Sequence, residues 1–195
     1  MAAKERTAMM NSYLQGETVY LRATDPEKDA VLLSGWLHDA LYDRFLDSQP
    51  AVMYNKDQMK DWYEKQIERI SSFMIMRKED DTPIGFIEIA GFDWHSGNGW
   101  LGIGIGEREN WGKGYGTEAM NLLLQMAFLE WNLHRVSLSV LGYNERARQS
   151  YEKVGFKLEG SLRGYIQREG QRWDMHIMGI LRQDWEKLQA ATSEI

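Results

Sequence analysis

Three glycines at alternate positions stand just before a long helical pattern in this sequence. The run reads Glu109-Asn-Trp-Gly-Lys-Gly-Tyr-Gly-Thr117. Glycine lets backbone N–H groups approach an anion with no side chain in the way, and the free N–H groups at the start of a helix favour negative charge. The spacing therefore predicts a phosphate-binding loop, although a tight connection is an equally good interpretation of such a turn by itself.

The stretch immediately upstream alternates glycine with aliphatic residues. It reads Trp100-Leu-Gly-Ile-Gly-Ile-Gly106, so Leu101, Ile103 and Ile105 share one face of a strand and glycines occupy the other. Glycine within a strand indicates close approach by a ligand or by another backbone, and tight packing against a helix is the alternative. Because the strand adjoins the predicted phosphate loop, we expect a ligand there.

Composition sets the outer limits of the fold. The 195 residues, 43% of them hydrophobic and only three of them proline, predict one domain over 1–195. Patterns along the chain predict a mixed α/β order of strand, two helices, three strands, helix, strand, helix and two strands. The predicted strands are 18–23, 72–77, 83–92, 101–106, 134–141, 156–167 and 172–181; the predicted helices are 26–38, 56–70, 114–131 and 144–153, followed by a helical tail.

Charge and residue usage exclude several classes of function. Cysteine is absent and the four histidines lack metal-ligand spacing, so we expect no disulfide, thiol nucleophile or metal site. A net charge of −6 argues against a nucleic-acid surface and is compatible with a cationic substrate. Residues 1–11 lack the apolar run of a signal peptide and no segment is apolar enough to span a membrane, so a cytoplasmic protein is expected.

Two motifs resemble the GNAT superfamily of N-acetyltransferases. Trp111-Gly-Lys-Gly-Tyr-Gly116 is similar to the acetyl-CoA loop, whose pattern is Gln/Arg-x-x-Gly-x-Gly/Ala. Asn144-Glu-Arg-Ala-Arg-Gln-Ser-Tyr-Glu-Lys-Val-Gly-Phe156 is similar to the second signature, an asparagine that opens a helix carrying a tyrosine and ending in Gly-Phe. Residues 158–174 resemble the ribosomal-protein alanine acetyltransferase branch, which is close to the spermidine acetyltransferases. The resemblance covers about 18–185.

The resemblance implies a GNAT-type fold, with a central mixed sheet splayed between its fourth and fifth strands, flanking helices, and acetyl-CoA in the gap. Trp111 departs from the pattern, so a side-chain contribution to pyrophosphate binding from that position is expected to be lost while the backbone cradle remains. Lys113 is either a helping cation or a solvated charge. The residues implied to bind acetyl-CoA are Ile103, Gly104, Ile105, Trp111, Gly112, Lys113, Gly114, Tyr115, Gly116, Thr117, Asn144, Ala147 and Tyr151.

Proton transfer would need an acid and, for many acceptors, a base. By resemblance Tyr151 is the acid that protonates the departing thiolate, and a packed aromatic side chain of the core is the alternative. Asn144 is either a helix cap alone or a helix cap that also contacts CoA. Glu88 resembles a glutamate of the spermidine acetyltransferases and is the candidate base, with a solvent-facing or arginine-paired carboxylate as the alternative. Trp100 stands where many relatives carry an acidic residue.

The resemblance implies that a neutral primary amine attacks the acetyl thioester directly, with loss of the CoA thiolate. The implied acceptor is a protein N-terminal α-amine, a polyamine or another small amine. A polyamine predicts a carboxylate-lined mouth, whereas a peptide N-terminus predicts a long open groove. Trp94 and His95 either line the entrance for the acceptor or cap a hairpin. Met59, Trp62, Tyr63, Ile67 and Ile70 predict a packed helix face, with a pocket lining as the alternative. A non-catalytic acyl-CoA sensing module is the other functional class, and exposed edge strands make a homodimer reasonable.

Overall fold

The computed structural model describes residues 13–66 and 68–193, so Ile67 and the segment searched for a signal peptide lie outside the described residues. The architecture is mixed α/β, as predicted. In chain order the elements are β1 (Val19–Ala23), α1 (Pro26–Leu37), α2 (Ala40–Leu46), α3 (Lys56–Gln66), β2 (Ile70–Arg77), β3 (Thr82–Asp93), β4 (Asn98–Ile105), a short 3₁₀ turn (Arg108–Asn110), α4 (Tyr115–Gln125) with a π-helical turn (Met126–Glu130), β5 (Arg135–Leu141), α5 (Glu145–Val154), β6 (Lys157–Arg168), β7 (Gln171–Leu181) and α6 (Arg182–Ser193).

Helix α2 is an element that the sequence patterns missed, because three helices rather than two follow β1. It has only seven residues, too few for a helical period to stand out. Asp39 starts it by accepting hydrogen bonds from the N–H groups of Leu41, at 2.9 Å, and Tyr42, at 3.4 Å. The aspartate before the apolar residues was the available signal for this helix.

The prediction of a helix over 56–70 is wrong at its C-terminal end. Helix α3 ends at Gln66, and Ile70 begins β2 by pairing with Ala90 of β3. A β-branched residue at the head of a long apolar strand gains more from the antiparallel ladder than from one more helical turn. Ile70 still packs against the core that Met59 and Tyr63 form, so the predicted contact exists without the helix.

The strands of the described chain form one sheet in the order β1-β2-β3-β4-β5-β7-β6. Neighbours are antiparallel except β4 and β5, which run parallel. Pairing between β4 and β5 runs only from Asn98 opposite Arg135 to Trp100 opposite Ser137, after which the two strands separate. The predicted splay is therefore confirmed, and one backbone edge of residues 101–105 faces a gap.

Helices cover both faces of the sheet. On one face the buried side chains of β3, such as Ile87 and Ile89, pack with α4 and its continuation. On the other face α1, α2 and α3 bury Trp36, Tyr42 and Met59 against the strands. No helix within the described ranges is long and apolar enough to cross a membrane.

Near the C-terminal end of β4, side chains fill the space beside two glycines. A Cβ at Gly104 would lie 2.8 Å from a ring carbon of Phe86, and one at Gly106 would overlap the indole of Trp36. Tight packing, the alternative interpretation, therefore explains glycine at these two positions. Gly102, which lines a cavity, and the backbone edge facing the gap remain accessible on β4.

Replacing Gly106 with alanine is expected to destabilise the fold. The new methyl group would overlap the ring of Trp36, which is itself 5% exposed. Overpacking of this kind costs about 1–3 kcal/mol in the free energy of unfolding. Urea unfolding of Gly106→Ala, compared with Gly160→Ala where a Cβ meets nothing within 4 Å, measures the difference. Equal midpoints for the two variants would contradict the expected overlap.

Candidate active site

The gap between β4 and β5 leads to the N-terminus of α4. Gly114 caps this helix with φ +89°, and no side chain of residues 13–66 or 68–193 caps its first N–H groups, while Gly112 has φ +73°. A Cβ at either glycine would meet no atom within 4 Å, so the backbone of the loop is open on that side. Free N–H groups at a helix start, reached through left-handed glycines, form a site for an anion.

A cavity of about 290 Å³, here called the cradle cavity, extends from this loop to α5. It brings together every predicted cofactor residue except Lys113, which does not line it. Sequence reasoning missed several of its other residues. Among these are Tyr42, Phe45, Leu46, Asn110, Met120, Arg146, Gln149, Ser150 and Lys153.

Trp111 is held at the end of β4. Its indole N–H donates a hydrogen bond of 2.7 Å to the carbonyl of Ile105, and Phe45 of α2 approaches the ring edge-on at 6.2 Å between centroids. The side chain therefore connects the glycine strand to α2 and forms one wall of the cradle cavity.

Asn144 joins α5 to α2 through both ends of its side-chain amide. Its oxygen accepts a hydrogen bond of 3.2 Å from the Ala147 N–H, and its nitrogen donates one of 3.2 Å to the Phe45 carbonyl. The cap interpretation of Asn144 is thus correct. The residue is 7% exposed and also borders the cradle cavity, at the start of the helix that carries Tyr151.

Tyr151 lies where the cradle cavity meets a second and larger one. Its ring packs against Phe156 at 6.2 Å, and its hydroxyl has no hydrogen-bond partner within 13–66 and 68–193. Burial raises the pKa of Tyr151 to about 12, and the nearby Arg146 guanidinium only partly opposes this. The phenol is therefore protonated at neutral pH and able to donate its proton.

Glu88 points into the larger cavity. It stands directly opposite Gly102 on β4, and a Cβ at that glycine would lie 3.3 Å from Glu88 Cγ, so the missing side chain makes room for the carboxylate. Oxygen Oε2 is buried and has no partner in the part of the chain described here. Burial raises the pKa of Glu88 to about 7. The carboxylate thus neither faces bulk solvent nor pairs with an arginine of the described residues.

This larger space, here called the carboxylate cavity, has a volume of about 640 Å³. The titratable side chains around it are acidic or phenolic, with Asp43 and Asp47 joining Glu88 and with no lysine, arginine or histidine among its described lining residues. Burial raises the pKa of Asp43, a rise that the Arg168 guanidinium opposes. The cavity is therefore suited to a positively charged group.

Helix α2 and the loop after it supply two of these carboxylates, and other elements hold them in place. The Tyr143 hydroxyl donates a hydrogen bond of 2.7 Å to the Arg44 carbonyl. A guanidinium nitrogen of Arg168 donates to the carbonyls of Asp47, at 3.1 Å, and Gln49, at 2.6 Å. Contacts this distant in sequence left no local pattern that could have predicted them.

The remaining candidates divide between the cavity and the surface. Met59 and Tyr63 are buried, and with Trp62, which is 38% exposed, they line the carboxylate cavity, so the packed face is also a pocket wall. Trp94 is 63% exposed and stacks on Phe92 at 4.6 Å, as a hairpin cap would. In residues 13–66 and 68–193 no three acidic or histidine side chains are grouped to hold a metal ion.

Comparison with known proteins shows the class of protein to which this chain belongs. The family model for the acetyltransferase (GNAT) domain matches residues 18–157. The chain is 31% identical over 181 residues to the SPbeta prophage-derived uncharacterized N-acetyltransferase YokL of Bacillus subtilis (strain 168), across 91% of this chain and 98% of that protein. The chain therefore belongs to the GNAT acetyltransferase family and is an N-acetyltransferase.

Two further comparisons concern one relative and one solved structure. The putative ribosomal N-acetyltransferase YdaF of Bacillus subtilis (strain 168) is 28% identical over 136 residues, across 70% of this chain and 73% of that protein. The crystal structure of spermidine N-acetyltransferase from Vibrio cholerae, in complex with CoA and spermine, superposes with a TM-score of 0.79. It is 23% identical and covers 88% of this chain and 99% of its own, which establishes a shared fold.

Proposed function

We propose that this protein transfers an acetyl group from acetyl-CoA to a primary amine. The observation that carries the proposal is the meeting of the two cavities at Tyr151, with a glycine cradle on one side and Glu88 on the other. An acyl-CoA thioester would supply the activated acyl group. The non-catalytic sensing module needs no carboxylate of raised pKa beside the cradle and is the weaker interpretation.

The residues of the cradle cavity fit an acyl-CoA. Open glycine backbone at 112 and 114 and the uncapped start of α4 suit the pyrophosphate. The unpaired backbone edge of 101–105 suits an extended pantetheine arm, which carries amides able to pair with a strand. A backbone N–H of that edge would polarise the thioester carbonyl.

Glu88 and Tyr151 divide the proton transfers. Glu88, with a pKa near 7, accepts a proton from the acceptor ammonium or amine, directly or through water. Tyr151 donates its proton toward the sulfur of the departing thiolate, whose ordinary pKa is about 8.5. The environments of the two groups set the roles, because burial keeps the phenol protonated and allows the carboxylate to titrate near neutral pH.

The carboxylate cavity favours a cationic acceptor. Three carboxylates and several aromatic side chains line it with no described basic residue, which is the acidic mouth expected for a polyamine or another small amine with a second positive charge. A lysine-like amine of pKa about 10.4 is neutral in only about one molecule in 2,500 at pH 7. Such an acceptor therefore needs a base to remove its proton, which is the role proposed for Glu88.

Thiol release from acetyl-CoA tests the proposal. A thiol-reactive dye follows turnover with spermidine, free lysine, aminoglycosides and alanine- or serine-starting peptides, and the protein adds no thiol background because it has no cysteine. Release with spermidine or another cationic small amine is expected. Release with peptides alone would contradict the cationic-acceptor assignment, and silence despite acetyl-CoA binding would favour the sensing module.

Replacing Gly114 with valine should abolish cofactor binding before it unfolds the protein. Valine at φ +89° is strained and would put a branched side chain on the open side of the loop. We expect CoA affinity, measured by calorimetry, to fall by at least about 100-fold, the loss of two or more charge-assisted hydrogen bonds. The matched control is Gly170→Val, where φ is +76° and a Cβ is equally free, in a hairpin turn outside both cavities. Equal loss of CoA affinity in both variants would point to strain alone.

A further inference from the structure

One guanidinium of the cradle cavity has no carboxylate partner among the residues that the structure describes. Arg146 lies in the first turn of α5, its Cζ 3.8 Å from the centre of the Trp111 ring and 5.5 Å from that of Phe45. Within the described ranges Arg146 forms no ion pair. Two residues on, Arg148 has a different environment, with contacts of 2.7 Å to Glu145 and 3.3 Å to Glu152.

The position of Arg146 is set by rings that are themselves held. Trp111 is tied to the Ile105 carbonyl, and Phe45 packs edge-on against the same indole, so the flat face offered to the guanidinium is fixed. Stacking on an aromatic ring occupies the face of a guanidinium and leaves its N–H groups, which lie in the plane, free to bind an anion. Lys153 also lines the cavity, but its ammonium group stacks on no aromatic ring of the described residues.

Trp111 replaces the Gln or Arg of the family pattern, so its own side chain was expected to contribute nothing to pyrophosphate binding. These contacts instead give Trp111 an indirect role in binding an anion. The loop position itself offers no cation, but the tryptophan there holds one that comes from α5 across the cavity. In a chain of net charge −6, an arginine that pairs with no carboxylate of the described residues and lies beside an anion-binding loop is positioned for a phosphate.

We propose that Arg146, stacked on Trp111, is the side chain that binds a phosphate group of CoA in the cradle cavity. The ligand chemistry is a phosphate oxygen, either of the pyrophosphate or of the 3′-phosphate on the ribose. The inference rests on the proposed function, since it concerns how the same cosubstrate is held. Trp111 is a positioning residue in this arrangement and Arg146 the binding residue.

Calorimetric titration with CoA, dephospho-CoA and pantetheine tests the assignment. Arg146→Ala should weaken CoA binding by roughly 10- to 100-fold, as expected for a lost hydrogen bond to a charged group, whereas Arg148→Ala should stay within about twofold of the wild type. Arg146→Lys keeps the charge without the planar stack and should fall between them. If the loss persists with dephospho-CoA, the pyrophosphate is the partner; if it disappears, the 3′-phosphate is. Pantetheine, which has no phosphate, should bind Arg146→Ala and wild type alike.

A double-variant cycle separates positioning from structure. Trp111→Leu should weaken CoA binding through Arg146, so adding Trp111→Leu to Arg146→Ala should cost little more than the worse single variant. Equal CoA affinity of Arg146→Ala and wild type, or an equal loss with pantetheine, would overturn the inference and leave the proposed function intact. Failure of the wild type itself to bind CoA would overturn the proposed function and this inference with it.

Discussion

We expect Tyr151→Phe to lower kcat for acetyl transfer by roughly 10²- to 10⁴-fold, the usual contribution of a positioned general acid, and to leave CoA affinity almost unchanged. Phenylalanine keeps the ring that packs against Phe156 and removes only the hydroxyl, which has no hydrogen-bond partner in residues 13–66 and 68–193. Steady-state kinetics by thiol release, with calorimetry for CoA affinity, measures both quantities.

A fall in kcat without a fall in CoA affinity would identify Tyr151 as the general acid. Tyr165→Phe serves as the matched control, because Tyr165 is 55% exposed on β6 and lines neither cavity, and we expect it to change neither kcat nor affinity. A collapse of CoA binding in Tyr151→Phe would assign the tyrosine a structural role. An unchanged kcat would require another group to protonate the thiolate.

Glu88→Gln is the second change with a large expected effect. For an acceptor of high pKa it should lower kcat/KM by about 10²-fold or more, because glutamine cannot accept the proton. The wild-type pH profile should rise through about pH 7, where Glu88 loses its proton, and the variant should lack this limb. Glu186→Gln, exposed on α6, is the control that should keep the profile. A variant profile that still rises near pH 7 would assign the limb to a different group.

The same substitution has a consequence for stability that does not depend on the reaction. Burial raises the pKa of Glu88 in the folded state from 4.5 to about 7, so the folded form binds more protons between these values. The contribution of Glu88 to stability is therefore fully present below about pH 4.5 and is lost as the pH rises through about 7. At pH 8 Glu88→Gln should be more stable than wild type by the order of 1–3 kcal/mol, the range for a shift of one to two and a half pKa units.

Urea unfolding at pH 4.5 and pH 8 measures this difference. The two proteins should differ little in the free energy of unfolding at the lower pH and should separate at the higher one. A wild type that is as stable as Glu88→Gln at pH 8 would mean that water or an ion reaches the carboxylate and removes the cost of its burial.

Local chemistry explains why the cradle could be predicted from sequence. Its glycines need positive φ at 112 and 114, and its helix begins within the same nine residues, so the loop geometry depends on neighbours in the chain. The cap at Asn144 and the glycine that ends α5 are local in the same way. The family resemblance rested on these two segments, and the family model and relatives confirm it.

The acceptor side could not be predicted in this way. Helix α2 was too short to produce a period, and it reaches the site through contacts with residues about a hundred positions away, such as those of Tyr143 and Arg168 with the segment after Asp39. The raised pKa of Glu88 depends on burial beneath those helices, which alternation along β3 alone does not report. Sequence reasoning could name the carboxylate but not its environment.

From the sequence alone, short-range backbone preferences and alternating burial predicted the mixed α/β order of elements and the glycine cradle, whereas the family resemblance named the tyrosine and glutamate that the proposed chemistry needs. Only the tertiary structure decided which residues surround these features. It separated β4 from β5, enclosed Glu88 in an acidic cavity and laid Arg146 on Trp111, thirty-five positions away in the chain. These outcomes depend on packing between segments that are distant in the chain, and the energy of that packing cannot be predicted from any single stretch of sequence.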